Sequence, residues 1–324
     1  MEFNQSNNVI YSALEWSRQG IGSAIATVVD TWGSAPRPVG SQLAISGEGG
    51  MVGSVSGGCV EGAVIFEAIE SLKDGLPRIL EYGVSDEEAF SVGLGCGGSI
   101  RILVEPIGHF LTQKTLEKLL KKIESRKPVA YVVNVENWSN CLVEVDKKYK
   151  QRFDNDQSGF DGLEFITIHN PPLRMAIIGG VHIAQALAKV ARVSGFDVLL
   201  IDPRESFANS LRFPDVEISH LWPDKALEIF DPDQRTAIVT LTHDPKIDDP
   251  AIIQGLKSPC FYIGCLGSSG THAKRIQRLQ NVGFSNDEIS RINGPVGLKI
   301  SAKSPAEIAV SIMGQIIQTV RKKI

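Results

Sequence analysis

The spacing of apolar residues changes character partway along the chain. Before about residue 170, short apolar runs are separated by glycine-rich or charged stretches; after it, apolar strands alternate with amphipathic helices. Residues 7–19 read as a helix with Ile10, Leu14 and Trp16 among its apolar positions, capped by Asn7 or Asn8 and ended by glycines at 20–22. The run SAIATVVDT, 23–31, predicts a buried strand, and 42–45 a short one. Val60, Val64, Ile65, Ala68, Ile69 and Leu72 recur at helical spacing. Strands are expected near 78–82 and over 99–105, then a basic helix over 115–125 whose lysines face solvent. Further strands are expected over 128–135, 141–145 and 163–168, with a charged, irregular stretch at 147–162.

The double proline of HNPPLR, 169–174, marks a boundary between two domains, 1–168 and 169–324. Beyond it, MAIIGG enters a glycine turn, HIAQALAKVARVSG is an amphipathic helix, and DVLLID is the next strand. Strands at 216–219, 236–241 and 260–263 follow with helices between them, the signature of a doubly wound parallel sheet. The predicted class is therefore α/β: an N-terminal α+β domain followed by a Rossmann-like doubly wound parallel-sheet domain. Capping boxes open two C-terminal helices, Ser285 with Glu288 and Ser304 with Glu307, and Pro305 suits the first turn of the second. That last helix closes the sheet or contributes to a dimer contact.

A dinucleotide fold places a glycine turn after its first strand and an acidic residue at the end of its second. Here those positions are Gly179 and Asp202, and His182 falls at the helix N-terminus. Val181 stands where the middle glycine of the fingerprint belongs, and a branched side chain there obstructs a pyrophosphate. Ligands of such sheets bind beyond the strands' carboxyl ends. The loop holding Gly267 precedes a helix and can cradle a phosphate. His243, Asp244 and Asp248 read as a weak metal site or as a solvated turn.

Composition narrows the function. The chain has 324 residues, enough for two cores, and a net charge of −4, which argues against nucleic-acid or anionic-membrane surfaces. The N-terminus lacks the basic and apolar regions of a secretory signal, and no apolar run spans a bilayer. Five cysteines without regular spacing imply a reducing cytoplasm rather than a disulfide framework, and there is no CxxC or HExxH.

Two cysteines stand apart because each is embedded in glycine: Cys59 in GSVSGGCVEG, 53–62, and Cys96 in GLGCGG, 93–98. Cys59 falls near a helix N-terminus, where free N–H groups and the dipole favour a thiolate and bind anions. The loop reads either as an anion- or metal-complex-binding loop with a reactive thiol or as a tight turn around a small cysteine. Arg37, in the glycine/proline loop 32–40, can lie beside it and offer a bidentate fork to a phosphate; its other reading is a surface arginine. Cys141, Cys260 and Cys265 lie in apolar or strand-like contexts and are expected to fill core space.

GSAPRPVGS, SGGCVEGAV, GLGCGGSIRILVEP, IIGGVHIAQAL, IDPR, LTHDPKID, YIGCLGS and GPVGLKISAKSPAEIAVSIMGQII occur in this order over nearly the whole chain. Together they resemble the xanthine dehydrogenase accessory factor family (XdhC/CoxI), the likeness being weakest over 112–173. The resemblance implies a cytoplasmic maturation protein and not a catalyst. Such a protein binds molybdenum cofactor, holds it while a cysteine desulfurase supplies its sulfido ligand, and inserts it into a xanthine-dehydrogenase-type apoenzyme. It also implies a homodimer and a place in purine catabolism. Carried onto this chain, the cofactor-handling positions are Arg37, Gly57, Gly58, Cys59, Glu61, Cys96 and Gly97, with Gly179, His182, Asp202 and Gly267 from the second domain. Val181 and the run 268–272, less basic than in the family, depart from its pattern. Two other readings stand beside this one: an NAD(P)-dependent oxidoreductase, and a sulfur-transfer enzyme using Cys59.

Overall fold

In the computed structural model, which describes residues 5–33, 37–84 and 98–321, the chain forms two units, one ending at Pro171 and the other starting at Pro172. The first opens with α1 (Gln5–Arg18), β1 (Ser23–Gly33), β2 (Gln42–Ser46), β3 (Met51–Gly53), α2 (Glu61–Asp74), β4 (Arg78–Val84) and β5 (Gly98–Pro106). This helix starts at Gln5, so Asn7 and Asn8 fall within it and not at the N-cap position expected of them. The strands pair antiparallel in the order β3-β2-β1-β5-β4. Alternate β1 side chains point to opposite faces. Ala24, Ala26 and Val28 join Val64 and Ala68 of α2, while Ile25 and Val29 join Ile10 and Leu14 of α1. That double cover is why the first seven residues of β1 are all buried.

The register fixes what meets at one end of this sheet. Gly33 pairs with Gly98, Gly98 with Val84, and Leu43 with Gly53. The end of β1 and the inner ends of β4 and β5 therefore meet, while the entry to β2, opposite Thr27, and the exit of β3 point the same way but lie about six residues back along β1.

The first unit continues with α3 (Gln113–Glu124), β6 (Val129–Asn134), β7 (Asn140–Glu144), α4 (Lys150–Asp154), β8 (Gly159–Asp161) and β9 (Glu164–His169). These strands form an antiparallel sheet ordered β7-β6-β9-β8. Leu116, Leu119 and Ile123 of α3 join Val129, Tyr131 and Phe165 in the core shared with α1. The charged stretch 147–162 is more ordered than its composition suggests, because Tyr149 and Phe153 are buried and anchor α4.

The second unit comprises β10 (Arg174–Ile178), α5 (His182–Val193), β11 (Asp197–Ile201), β12 (Glu217–Ser219), α6 (Pro223–Phe230), β13 (Thr236–Thr240), α7 (Pro245–Lys257), β14 (Tyr262–Cys265), α8 (Ser269–Val282), α9 (Asn286–Ile289), β15 (Ile292–Asn293) and α10 (Pro305–Arg321). Its sheet is parallel throughout, in the order β12-β11-β10-β13-β14-β15. Met175, Ile177 and Val239 face α5 and α10 on one side, and Ala176, Ile178 and Ile263 face α6, α7 and α8 on the other. The expected doubly wound sheet is thus present, with its order reversing at β10. Both capping boxes form as read: Ser285 and Glu288 exchange side-chain-to-backbone bonds, as do Ser304 and Glu307. No helix among the described residues is long and apolar enough to cross a membrane.

Candidate functional site

The glycine loop after β3 is organised by Glu61. This residue begins α2, and its carboxylate turns back into the loop. Oε1 accepts the N–H groups of Val55 (3.3 Å), Ser56 (2.9 Å) and Gly57 (3.0 Å) and the Ser54 hydroxyl (2.8 Å). Oε2 accepts the Gly58 N–H (2.8 Å) and the Ser56 hydroxyl. Four successive backbone N–H groups converge on one anion, the arrangement of an anion-binding nest. Left-handed φ angles of +77° at Gly57 and +114° at Gly58 make the convergence possible, and a side chain at either would be strained. Burial alone raises the Glu61 pKa; the bonds from Ser56, Ser54 and the backbone outweigh it and hold the carboxyl at about 2.

Sequence reasoning aimed these N–H groups at an external anion; the structure gives them to the chain's own carboxylate. What the loop presents outward is its tip, with Gly57, Gly58 and Cys59 all exposed. Cys59 precedes the helix by two residues and does not sit in its first turn. The thiol is free and exposed on a backbone that Glu61 holds in place.

Arg37 is half-buried in the turn before β2. The Ser54 N–H donates to the Gln42 carbonyl at 3.1 Å, so the two loops start from neighbouring backbone, as their spacing suggested. Cys96 and Gly97 lie outside the described residues. The strands on either side of them, β4 and β5, end in the Val84–Gly98 pair at the same end of the sheet. Cys141 departs from its reading as a core cysteine. It is exposed on β7, which pairs on one side only, and it lines a groove of about 650 Å³ with Lys118, Lys121 and Lys127. Cys260 and Cys265 are buried as expected.

In the second unit the first glycine turn is closed. Gly179 has φ +103°, and a Cβ there would lie 2.4 Å from the Thr242 methyl. At Gly180 it would lie 2.5 Å from the Phe207 carbonyl oxygen. The Gly180 N–H donates to Asp202 Oδ2 (2.8 Å), and Arg212 donates to the Gly180 carbonyl (2.7 Å). Asp202 is fully buried and also accepts the backbone N–H, Nε and Nη2 of Arg204 at 3.0, 2.9 and 2.8 Å. Burial works against its charge, but these bonds keep its pKa below the ordinary value. In dinucleotide sites the equivalent groups meet pyrophosphate and ribose; here each has an internal partner. Val181 caps α5 and packs partly into the core, and His182 is its exposed first residue.

Beyond β13 and β14 a cavity of about 430 Å³ opens between the N-termini of α7 and α8. Asp244 caps α7, accepting the Lys246 N–H at 2.9 Å. His243 is exposed, as a solvated turn requires, but Asp248 is buried and departs from that reading: the Thr242 hydroxyl donates to its Oδ1 at 2.7 Å. Gly267 is left-handed at φ +139°, with its Cβ position 3.0 Å from Thr271, and leads to the capping Ser268. No group of three or more His, Cys, Asp or Glu among the described residues is placed to hold a metal ion. Arg275, absent from the sequence reading, is 2% exposed in the wall of this cavity. Its signal was there: it lies one turn before the buried Leu279, a charge on the apolar stripe of α8.

A glycine/cysteine loop on an α+β unit is thus followed by a parallel-sheet unit whose first glycine turn is internally closed. Residues 16–83 match the XdhC and CoxI family and residues 175–316 match the XdhC Rossmann domain. The chain belongs to the XdhC and CoxI family. It is 30% identical over 325 residues to a probable xanthine dehydrogenase subunit of Bacillus subtilis (strain 168), covering 93% of this chain and 94% of that protein. It is 29% identical over 308 residues to the molybdenum cofactor insertion chaperone PaoD of Escherichia coli (strain K12), covering 95% of this chain and 86% of that one. A crystal structure of a xanthine dehydrogenase from Bacillus halodurans superposes with a TM-score of 0.74 at 26% identity, over 97% of this chain and 96% of that one.

Proposed function

We propose that this protein binds molybdenum cofactor through the Cys59 loop and inserts it into a xanthine-dehydrogenase-type enzyme. The observation that carries the reading is a free, exposed thiol on a loop whose backbone donors are already satisfied by Glu61. The donor chemistry fits this cargo: a thiolate is a soft ligand suited to a thiophilic metal centre. The nest does not receive the cofactor's phosphate, because Glu61 fills it; its part is to hold the Cys59 backbone still. Arg37, entering from neighbouring backbone, supplies a cation at the same end of the sheet. The cofactor brings the molybdenum and its dithiolene. This chain's residues bind, orient and release it.

The finer steps of the same reading are that a cysteine desulfurase sulfurates the cofactor while it is held, that the protein works as a cytoplasmic homodimer, and that its client serves purine catabolism. The division into a cofactor-loop domain and a Rossmann-like domain belongs to this reading too, with Cys96 completing the first. Expression in a host that makes molybdenum cofactor, followed by size exclusion, oxidation and pterin fluorescence, tests the reading. Near-stoichiometric pterin is expected. A protein free of pterin, from a host shown to load another molybdenum protein, would sink it.

A further inference from the structure

The cavity beyond β13 and β14 contains an arginine with most of its donors unused. The Arg275 guanidinium is 2% exposed. Its Nη2 donates to the Leu266 carbonyl at 3.0 Å, but Nε and Nη1 have no acceptor. Withdrawing a guanidinium from water with two donor groups idle is costly unless an anion completes the site. Its acidic neighbours do not do so. Asp249 is engaged by Arg278 through bonds of 2.6 and 2.9 Å. Asp248 gives Oδ1 to Thr242 and is near enough to Arg275 to feel its charge, but no hydrogen bond or ion pair joins the two among the described residues.

Other features of the same wall converge on an anion. The helix α8 runs for 14 residues and points its N-terminus at the cavity. Ser268 accepts the Thr271 N–H at 3.1 Å, and Gly270 places no side chain over the neighbouring backbone. Lys274 lines the cavity from an exposed position. A planar guanidinium, an ammonium and helix N–H groups together suit a tetrahedral dianion.

We propose that this cavity binds the phosphate group of a phosphate ester, through Arg275, Lys274 and the N-terminus of α8. The cavity of about 430 Å³ has room for the organic part of the ester as well as its phosphate. Asp248 Oδ2, buried and without a partner, is placed to meet a hydrogen-bonding group of that organic part. The site stands independently of the carrier reading, because it can be measured with no pterin present.

Titration of the full-length protein with inorganic phosphate at low ionic strength, followed by calorimetry, tests the proposal. Saturable one-to-one binding is expected. Lys274→Glu and Arg275→Met should each weaken it at least about tenfold, the scale of one lost charge-assisted hydrogen bond. Lys274 is exposed, so its variant keeps the fold. Arg275→Met should hold or raise the melting temperature, whereas a purely structural arginine would lower it. Displacement by a pterin phosphate or by a nucleoside monophosphate then identifies the source of the ester. The absence of saturable binding, wild-type affinity in both variants, or displacement by neither ester overturns the proposal.

Discussion

Replacing Glu61 by glutamine should release the Cys59 loop without dismantling the fold. The amide keeps one acceptor oxygen but turns an NH₂ toward donors that now face Oε2, the Gly58 N–H and the Ser56 hydroxyl. Lowering a glutamate from its ordinary value of about 4.3 to about 2 corresponds to about 3 kcal/mol of preference for the ionised form. The tip of the loop is exposed, so screening reduces this to about 2 kcal/mol. The sign follows from a depressed pKa: the contribution is complete above about pH 4.3 and is lost as pH falls toward 2. Wild type and Glu61→Gln should therefore differ at neutral pH and converge under acid. Hydrogen exchange at Ser56, Gly57 and Gly58, whose N–H groups bond the carboxylate, should quicken about thirtyfold in the variant at neutral pH. Unchanged exchange at these amides, or a difference in stability that persists undiminished at pH 2, would refute the claim that this carboxylate holds the loop.

Glu105 behaves in the opposite sense. It is buried, bonded by the Tyr131 hydroxyl at 2.6 Å, and burial pushes its pKa up to about 7. Its contribution is full below about pH 4.3 and declines as pH rises through 7, by about 4 kcal/mol in total. Glu105→Gln should flatten that part of the pH profile and be more stable than wild type at pH 8, as read by urea midpoints. Asp202→Asn removes charge-assisted bonds to Arg204 and should cost about 2–3 kcal/mol in chemical denaturation. Gly180→Ala would drive a methyl group into the Phe207 carbonyl, and a loss of about 1–3 kcal/mol is expected from thermal melts.

The second domain was legible because its signal is local. The apolar run 175–178, the glycine turn and the amphipathic stretch 182–193 each announce their element, and the parallel order follows from their alternation. Closure of the glycine turn was not legible. It depends on Arg212 reaching the Gly180 carbonyl and on Phe207 packing over that glycine, contacts about thirty residues apart that no periodicity encodes. In the first domain the glycines of 53–62 correctly marked a loop needing left-handed backbone, but the anion that fills it was taken to come from outside. Glu61, three residues after Gly58, reaches back as the acidic member of a capping box does. Cys141 shows the limit of reading strands one at a time: it sits in a strand-like run, yet β7 lies at a sheet edge and leaves it exposed. Arg275 was passed over because one charge on an apolar stripe weighs little until its partners, or their absence, are seen.

The proposed function turns on whether the exposed Cys59 thiol carries the cofactor. The most direct test is to purify wild type and Cys59→Ser side by side from a host that makes molybdenum cofactor, and to measure molybdenum and pterin per chain. Because Cys59 is exposed, the variant should keep its stability to within about 0.5 kcal/mol. Near-stoichiometric molybdenum and pterin in the wild type, lost in a folded Cys59→Ser protein, is the predicted result. Equal loading of both proteins would contradict the claim and move the cofactor site away from this loop.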